Sequence, residues 1–344
     1  MTENRFRVGY LQHVPHPAFL EAAAAEPSLE IRRIPLDQPE AAIHAALAGC
    51  HGYYVMAARD ELPAPWHVTT ALLATLPRLL MVSSYGAGYD PVDRDACTAA
   101  GVALSNQSGG NAEGVAEHAV GMMLLLLKRV PESHAAMRAG RAADRGAFLG
   151  REIVGRPVGL VGLGHVGART AAILNALGAR VMACDPYLDA AECAARGATK
   201  VELPELLAAC DVVSLHCPRD AATRGLFGAA AFAAMRPGAI FVTTARGGIH
   251  DEAALLAALE AGHLGGAGLD VWDPEPPRPD APLLAHPLVI ASPHTAGVTQ
   301  ESRERVVRMA VAGFVEAAAG RLPPRLQNPA VAGRFLERWR EAFA

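Results

Sequence analysis

Residues 157–167 read Pro157-Val158-Gly159-Leu160-Val161-Gly162-Leu163-Gly164-His165-Val166-Gly167, an apolar run that passes directly into the pattern Gly-x-Gly-x-x-Gly. The apolar run predicts a buried strand, and residues 168–177 predict the helix that follows it. Gly162 would permit the tight turn, Gly164 would let the backbone approach a pyrophosphate, and Gly167 would let the helix pack closely. The helix N-terminus would supply N–H groups and a positive dipole end to the phosphates. The segment therefore predicts a dinucleotide-binding fold.

An acidic residue follows this turn at a fitting distance. Asp185 comes directly after the predicted strand Arg180–Cys184, 18 residues beyond Gly167, and the carboxylate that binds an adenosine ribose lies about 20 residues on in such folds. The alternative for Asp185 is an acid that caps a turn before Pro186, and a glycine motif alone is weak evidence. The strand, the glycines, the helix and the acid follow one another in the order and spacing of a dinucleotide-binding fold. This favours the ribose contact for Asp185 over the turn cap. Because a carboxylate repels a 2′-phosphate and no Arg follows, we expect NAD and not NADP.

Short strand-like runs alternate with Ala- and Leu-rich helical patterns over most of the 344 residues, which predicts parallel α/β sheets in two domains. The predicted strands of the first third are Arg7–Leu11, Glu30–Ile34, Gly52–Val55, Leu79–Ser83 and Val102–Leu104. Those of the second series are Val158–Val161, Arg180–Cys184, Val212–Leu215, Ala239–Thr243, Gly266–Leu269 and Val289–Ala291. A long helix is predicted from about Asn111 to Val130, ending at Pro131, and a closing amphipathic helix from about Gln300 to Ala319.

Composition and charge limit the partners. Hydrophobic residues make up 51% and charged residues 19%, and the net charge of −4 comes without a basic tract, so nucleic acid and acidic membrane surfaces are not expected as partners. The six cysteines form no CxxC pair, so no metal site is expected. The apolar run Ala119–Leu127 is too short to span a bilayer, and no secretory signal is visible. We expect a cytoplasmic protein that acts on a small molecule.

Three later segments carry groups suited to hydride chemistry: Thr243-Thr244-Ala245-Arg246-Gly247-Gly248, Gly268-Leu269-Asp270-Val271-Trp272-Asp273-Pro274-Glu275-Pro276 and Ser292-Pro293-His294-Thr295-Ala296-Gly297-Val298-Thr299. Arg246 follows a predicted strand, and open α/β sheets bind ligands at the carboxyl ends of their strands. Its guanidinium can bind a carboxylate at two points and polarise an adjacent carbonyl. Taken singly, a loop Arg is more often solvated or ion-paired, and a lone His such as His294 is more often structural.

These segments, together with the glycine turn, resemble the D-isomer-specific 2-hydroxyacid dehydrogenase family, which includes phosphoglycerate dehydrogenases and hydroxypyruvate or glyoxylate reductases. The resemblance extends through Ser83–Asp90 and Asn111–His118 and covers nearly the whole chain. It implies an α/β protein with two doubly wound parallel-sheet domains. A Rossmann NAD-binding domain, residues 105–296, would be inserted into a flavodoxin-like substrate domain formed by residues 1–104 and 297–344. The last dozen residues fall beyond the shared pattern.

The resemblance also implies roles for single residues. His294 would be the general acid/base, Glu275 would orient it and favour its protonated form, and Arg246 would hold the substrate carboxylate together with the backbone N–H groups of Ala87 and Gly88. The positions that would contact NAD are Gly162, Gly164, His165, Val166, Gly167, Asp185, Cys217, Thr244, Ala245, Arg246, Asp270, His294, Ala296 and Gly297. The family often has Thr where this chain has Cys217.

The predicted activity is transfer of a hydride between NAD(H) and a small 2-hydroxy or 2-oxo acid with D specificity, as in a hydroxypyruvate or glyoxylate reductase. D-3-phosphoglycerate is the alternative substrate. Against it, Met56 aligns with the Arg that binds the phosphate in phosphoglycerate dehydrogenases, and Arg59 lies a few residues away from that position. Oxidation of formate or phosphite is less favoured, because Ser83–Asp90 contains no Lys or Arg. An alternative of another class is an NAD-sensing corepressor. The family resemblance and the apolar segment Val115–Leu127 predict a homodimer, in which this segment would pack across a two-fold axis along with the Arg138–Arg156 arm.

Overall fold

The structure is a computed structural model that describes residues 5–141 and 144–343. Residues 1–4, 142–143 and 344 lie outside the described residues; they belong to the polar N-terminal segment, to the Arg138–Arg156 arm and to the end of the predicted substrate domain. The chain divides into two compact units. Unit 1 comprises Met1–Asn111 and Val298–Ala344, and unit 2 comprises Ala112–Gly297. The boundaries predicted from the sequence stand at residues 104 and 296.

Unit 1 contains a five-stranded parallel sheet in the order β2-β1-β3-β4-β5. Its strands are β1 (Phe6–Leu11), β2 (Leu29–Ile34), β3 (Gly52–Val55), β4 (Met81–Ser84) and β5 (Ala103–Ser105). The helices of its N-terminal part are α1 (Ala18–Ala24), α2 (Glu40–Ala48), α3 (Thr70–Ala74) and α4 (Arg94–Ala100), with a 3₁₀ turn at Ala64–Trp66. This strand order is that of flavodoxin-like domains, as predicted.

Unit 2 contains a seven-stranded parallel sheet in the order β12-β11-β10-β9-β6-β7-β8. Its strands are β6 (Pro157–Val161), β7 (Arg180–Cys184), β8 (Thr199–Lys200), β9 (Val212–Leu215), β10 (Ala239–Thr243), β11 (Leu264–Leu269) and β12 (Val289–Ala291). Its helices are α5 (Ala112–Leu127), α6 (Val130–Arg138), α7 (His165–Ala176), α8 (Ala190–Ala195), α9 (Leu203–Ala209), α10 (Ala229–Ala234), α11 (Glu252–Glu260) and α12 (Pro282–Ala285), with a 3₁₀ turn at Arg145–Phe148. The strand order is that of a Rossmann fold with one added strand, so the predicted fold class is confirmed.

The C-terminal chain returns to unit 1 as α13 (Gln300–Ala318), a 3₁₀ turn (Pro329–Val331) and α14 (Ala332–Phe343). The Thr299 hydroxyl accepts the Ser302 N–H at 3.0 Å and so caps the start of α13. Val306, Ala310 and Phe314 are buried in the core of unit 1, as the amphipathic pattern predicted. Helix α14, which the sequence pattern did not predict, buries Phe335 in the same core.

A long helix was predicted from Asn111 to Val130, and the predicted position of its end is wrong. Helix α5 ends at Leu127, and Pro131 lies in the first turn of the separate helix α6. A proline fits there because the N–H it lacks would have no partner inside the helix. The chain turns at Arg129, whose φ of +52° is left-handed and whose guanidinium binds Glu132 at 2.7 Å.

Within residues 5–141 and 144–343, no helix is both long and apolar enough to cross a membrane. In the same ranges, no three His, Cys, Asp or Glu side chains lie close enough together to hold a metal ion. The six cysteines all carry free thiols.

Candidate active site

The glycine turn between β6 and α7 has the geometry that its sequence predicts. Gly162 has a φ of +92°, and a Cβ there would lie 2.8 Å from the Cys217 nitrogen. A Cβ on Gly167 would lie 2.2 Å from the Gly162 oxygen, so both positions require glycine. Gly164 is the N-cap of α7 and has no side-chain cap, and among the described residues no atom lies within 4 Å of the position of a Cβ on it. The turn therefore leaves open space and N–H groups, including those of His165 and Val166, for an anionic group.

Asp185 is held against this turn. One carboxylate oxygen accepts the Leu163 N–H at 2.8 Å, and the other accepts the Tyr187 N–H at 3.0 Å. Each oxygen retains a further acceptor site, because an ionised carboxylate has about four lone-pair positions. The carboxylate is therefore oriented at the end of β7 with free acceptor capacity for a ribose hydroxyl.

The carboxyl ends of β9 and β10 carry neutral polar groups. Burial raises the pKa of Cys217 to about 11, so its thiol stays protonated. Burial lowers the pKa of His216 to about 4; its Nε2 lies 3.0 Å from the Ser214 hydroxyl, and its Nδ1 has no partner within the described chain. The hydroxyl of Thr244 is also buried and unpartnered there. Buried polar atoms are rarely left unpaired, so these atoms fit a site completed by a bound cofactor.

His294 and Glu275 form an ion pair in which His294 Nδ1 lies 2.9 Å from Glu275 Oε2. The hydrogen bond to Glu275 raises the pKa of His294, against burial and the charge of Arg246, which lower it. Burial raises the pKa of Glu275, but His294, the Trp272 N–H and Arg246 together outweigh burial and hold that pKa below its usual value. Because Nδ1 is committed to Glu275, Nε2 is the ring atom available to exchange a proton.

The loop that carries His294 is fixed by Asp270, which is fully buried. Its carboxylate accepts the Ser292 hydroxyl at 2.6 Å and the N–H groups of Thr295 and Ala296 at 2.8 and 3.0 Å, and its backbone oxygen accepts the His294 N–H at 2.8 Å. These bonds support the left-handed backbone of His294, whose φ is +54°. The Asp270 side chain thus binds the loop that contains Ala296, and its predicted contact with NAD stays a prediction.

His118 of α5 joins the same network, although no chemical role was predicted for it from the sequence. Its Nε2 lies 3.0 Å from the Ser292 hydroxyl and 3.9 Å from the Asp270 carboxylate. The signal that pointed to it was the segment Asn111–His118, which carries part of the family resemblance. His118 connects α5 to the loop that holds His294.

Arg246 follows β10 and donates to the Ala245 oxygen at 2.7 Å. Its charge lowers the pKa of both His294 and Glu275, so the guanidinium is within electrostatic reach of that pair. Gly297 closes unit 2 directly after the His294 loop. The structure thus brings together, within unit 2, the predicted acid/base pair and the predicted carboxylate-binding residue.

The predicted substrate loop lies in unit 1, after β4. The Ala87 oxygen accepts the Asn106 amide at 2.7 Å, and the Gly88 oxygen accepts the Ser84 hydroxyl. The N–H groups of Ala87 and Gly88 have no hydrogen-bond partner within the part of the chain that the structure describes. Two fixed carbonyls and two free N–H groups suit a loop that binds a carboxylate.

Comparison with known proteins places this arrangement in context. Residues 120–296 match the family model described as D-isomer specific 2-hydroxyacid dehydrogenase, NAD binding domain. The D-3-phosphoglycerate dehydrogenase of Mycobacterium leprae (strain TN) is 40% identical over 253 residues, which cover 72% of this chain and 48% of that protein. That of Rattus norvegicus is 35% identical over 277 residues, covering 80% and 50%. The chain therefore spans about half the length of these curated relatives.

Solved structures share the architecture. The TT0316 protein from Thermus thermophilus has a TM-score of 0.81 and 31% identity, covering 93% of this chain and 99% of its own. A D-lactate dehydrogenase from Aquifex aeolicus, solved with NAD and lactic acid, has a TM-score of 0.73 and 27% identity, covering 88% and 93%.

Proposed function

The chain belongs to the D-isomer-specific 2-hydroxyacid dehydrogenase family, and from this we propose that it transfers a hydride between NAD(H) and a small 2-hydroxy or 2-oxo acid with D specificity. The observation that carries the proposal is the pair His294–Glu275, joined at 2.9 Å and influenced by Arg246, in the unit that also holds the glycine turn. An acid/base group, a carboxylate-binding group and a dinucleotide turn are the parts this reaction requires.

The residues of unit 2 would hold NAD as follows. The turn from Gly162 to Gly167 and the start of α7 bind the pyrophosphate, and Asp185 accepts a ribose hydroxyl. The unpartnered hydroxyl of Thr244 provides a further polar contact, with Cys217 as a neutral neighbour. NAD(H) held by these residues would supply the hydride chemistry of the reaction.

His294 moves the proton. In reduction, its protonated Nε2 donates to the carbonyl oxygen of the 2-oxo acid; in oxidation, the neutral ring accepts the hydroxyl proton. Glu275 keeps the ring oriented through Nδ1 and stabilises the imidazolium. Arg246 binds the substrate carboxylate and polarises the carbonyl. In unit 1, the N–H groups of Ala87 and Gly88 remain the predicted carboxylate-binding groups of that domain.

We propose an unphosphorylated 2-oxo acid, such as hydroxypyruvate or glyoxylate, as the substrate. Met56 is packed against the hydrophobic core of unit 1 and offers no charge to a phosphate, and Arg59 is exposed. D-3-phosphoglycerate is the second candidate, because the curated relatives at 35–40% identity carry that substrate in their names.

The deciding experiment measures kcat/KM with NADH for hydroxypyruvate, glyoxylate and 3-phosphohydroxypyruvate. Highest efficiency with the phosphorylated acid would select the second candidate. Tight NADH binding with no turnover on a broad panel of 2-oxo acids would instead support a binding protein of the corepressor type. Arg246→Lys is the matched variant: it keeps the charge and loses the bidentate contact, so KM should rise for every acid that is turned over.

We further propose a homodimer formed by unit 2. Exposed apolar side chains concentrate at the end of α5, on α6 and in the residues that follow: Leu125, Val130, Met137, Leu149 and Val154, of which Leu149 is 83% exposed. Exposed apolar side chains this frequent in one segment of the chain favour an association site, and a two-fold axis would cover them on both copies. Light scattering should give a dimer mass for the wild type and for the control Leu20→Asp, and a monomer mass for Leu149→Asp. A monomeric wild type at micromolar concentration would contradict the proposal.

A further inference from the structure

A separate polar cavity of about 760 Å³ lies within unit 1. Arg7 is the second residue of β1, His51 precedes β3, Arg78 precedes β4, and Arg338 reaches the cavity from α14. The cavity therefore lies at the amino ends of the strands. The loop with Ala87 and Gly88 follows the carboxyl end of β4, so the cavity is at the opposite edge of the sheet from the proposed substrate loop.

The lining of this cavity is positively charged. Arg7, Arg32, Arg78 and Arg338 stand against two acids, Glu30 and Glu341, which leaves an excess of two positive charges. His51 adds no charge, because burial, followed by the charges of Arg7, Arg78 and Arg32, lowers its pKa to about 4. Arg7, Arg32 and Arg78 line the cavity together with His51, and a ligand with two negative charges would balance the excess of positive charge.

One arginine donor in the cavity wall has no acceptor. The Arg7 N–H lies 3.1 Å from His51 Nδ1, and Arg7 Nη2 lies 3.0 Å from His51 Nε2. A neutral imidazole accepts at one ring nitrogen only, because the other carries the proton. Because the backbone N–H of Arg7 donates to Nδ1, the neutral ring carries its proton on Nε2. Arg7 Nη2 therefore faces an N–H group, and an anion in the cavity would provide the missing acceptor.

The arginines divide into those that hold the wall and those that are available to a ligand. Arg338 donates to the oxygens of Ala100 at 2.9 Å and Pro77 at 2.7 Å, which ties α14 to the loop before β4. Arg32 pairs with Glu30 at 2.7 Å through one edge of its guanidinium. Arg78 is exposed and makes no hydrogen bond or ion pair to any other described residue.

An apolar wall adjoins these charges. Leu80 and Phe343 line the cavity, and the Phe343 ring lies 4.7 Å from the His51 ring and is stacked on Phe6 at 6.0 Å between centroids. The Phe343 ring is also stacked on Trp339 at 5.4 Å, so Leu80 and the part of Phe343 that lines the cavity would give a ligand apolar surface beside the guanidinium groups. Such a lining recognises an anion attached to an apolar body.

We propose that this cavity binds a small phosphate monoester with an apolar or aromatic body, its phosphate held by Arg32, Arg78 and the unsatisfied donor of Arg7, and its body packed against Phe343. The ligand would link α14 to the amino edge of the β-sheet and stabilise unit 1. The proposal does not depend on the proposed enzymatic function, because it uses no residue assigned to that function.

The test uses phenyl phosphate, which has no 2-hydroxy or 2-oxo group, with the full chain at constant ionic strength set by sodium chloride. Calorimetry should show binding, and the Tm should rise with ligand concentration, because a ligand specific to the folded state stabilises it. Arg78→Gln should weaken binding by about tenfold or more, the cost of one hydrogen bond between charged groups. Arg32→Gln/Arg78→Gln should abolish the Tm rise.

The matched control is Arg340→Gln, on the exposed side of α14 and outside the cavity lining. It should bind phenyl phosphate as the wild type does. The proposal would be overturned if Arg78→Gln and Arg340→Gln bound phenyl phosphate with equal affinity. It would also be overturned if phenyl phosphate bound to the wild type no better than sodium chloride does. Loss of binding in Arg246→Gln with retention in Arg78→Gln would assign the ligand to the proposed active site and would also overturn it. Since Arg78 has no described partner, the unliganded Tm of Arg78→Gln should equal that of the wild type.

Discussion

Replacing Glu275 with Gln should move the pH dependence of the reaction. The amide keeps the size of the side chain and can still accept the Trp272 N–H, but the charge that pairs with His294 is lost. The pKa of His294 is raised in the wild type by its hydrogen bond to Glu275, while burial and Arg246 lower it. With the first cause removed, that pKa falls, and the protonated ring needed for reduction disappears at lower pH.

The size of the effect follows from the pair itself. A hydrogen bond between charged groups contributes about 1.5–3 kcal/mol. The His294 side chain is 34% exposed and that of Glu275 is 22% exposed, so solvent screening favours the lower end, about 1.5 kcal/mol or roughly tenfold. Above the pH at which the wild-type rate begins to fall, kcat for reduction should be about tenfold lower in Glu275→Gln than in the wild type. At acid pH, His294 is protonated in both enzymes, so their kcat values should differ little.

The assay is the pH profile of kcat, measured with NADH and a 2-oxo acid and then in the oxidation direction, where the limb should move to lower pH as well. Glu252→Gln is the matched control, since Glu252 accepts the Asp273 N–H at 2.9 Å and does not contact His294. Its profile should match the wild type. An unmoved limb in Glu275→Gln, or an equal displacement in Glu252→Gln, would refute the assignment of Glu275 as the partner that sets the protonation of His294.

Four further predictions concern unit 2. Asp185→Ser with Pro186→Arg should shift kcat/KM from NADH toward NADPH; equal wild-type efficiency with both cofactors would contradict the ribose contact. Gly167→Ala should lower the free energy of unfolding by about 1–3 kcal/mol or more, because its Cβ would lie 2.2 Å from a backbone oxygen. Gly164→Ala should keep the wild-type Tm, since its Cβ meets nothing, yet weaken NADH binding measured by fluorescence. Asp270→Asn should lower the Tm and kcat together, because an amide nitrogen would face backbone N–H donors; an unchanged Tm would contradict the role of Asp270 in holding the loop.

Features that depend on local pattern could be predicted from the amino-acid sequence alone. Short apolar runs between helical patterns predicted 11 of the described strands closely. A parallel sheet is buried on both faces, so its strands are continuous apolar segments. The glycine turn was readable because Gly162 and Gly167 each occupy a space or a backbone conformation that admits no side chain. The two-residue strand β8 was missed because so short a run has no period, and the end of α5 was misplaced because a proline fits equally after a helix and within the first turn of the next.

Which residues from distant parts of the chain meet is visible only in the folded protein. His118 reaches Ser292 across 174 positions of the sequence, and Asp270 holds the loop of His294 through backbone groups that no motif specifies. The arginine cavity combines Arg7 of the first strand with Arg338 of the last helix, a helix to which the sequence pattern gave no role. The physical reason is that periodicity records whether a position is buried, whereas strand order and helix packing decide against what it is buried, and those depend on the whole chain at once.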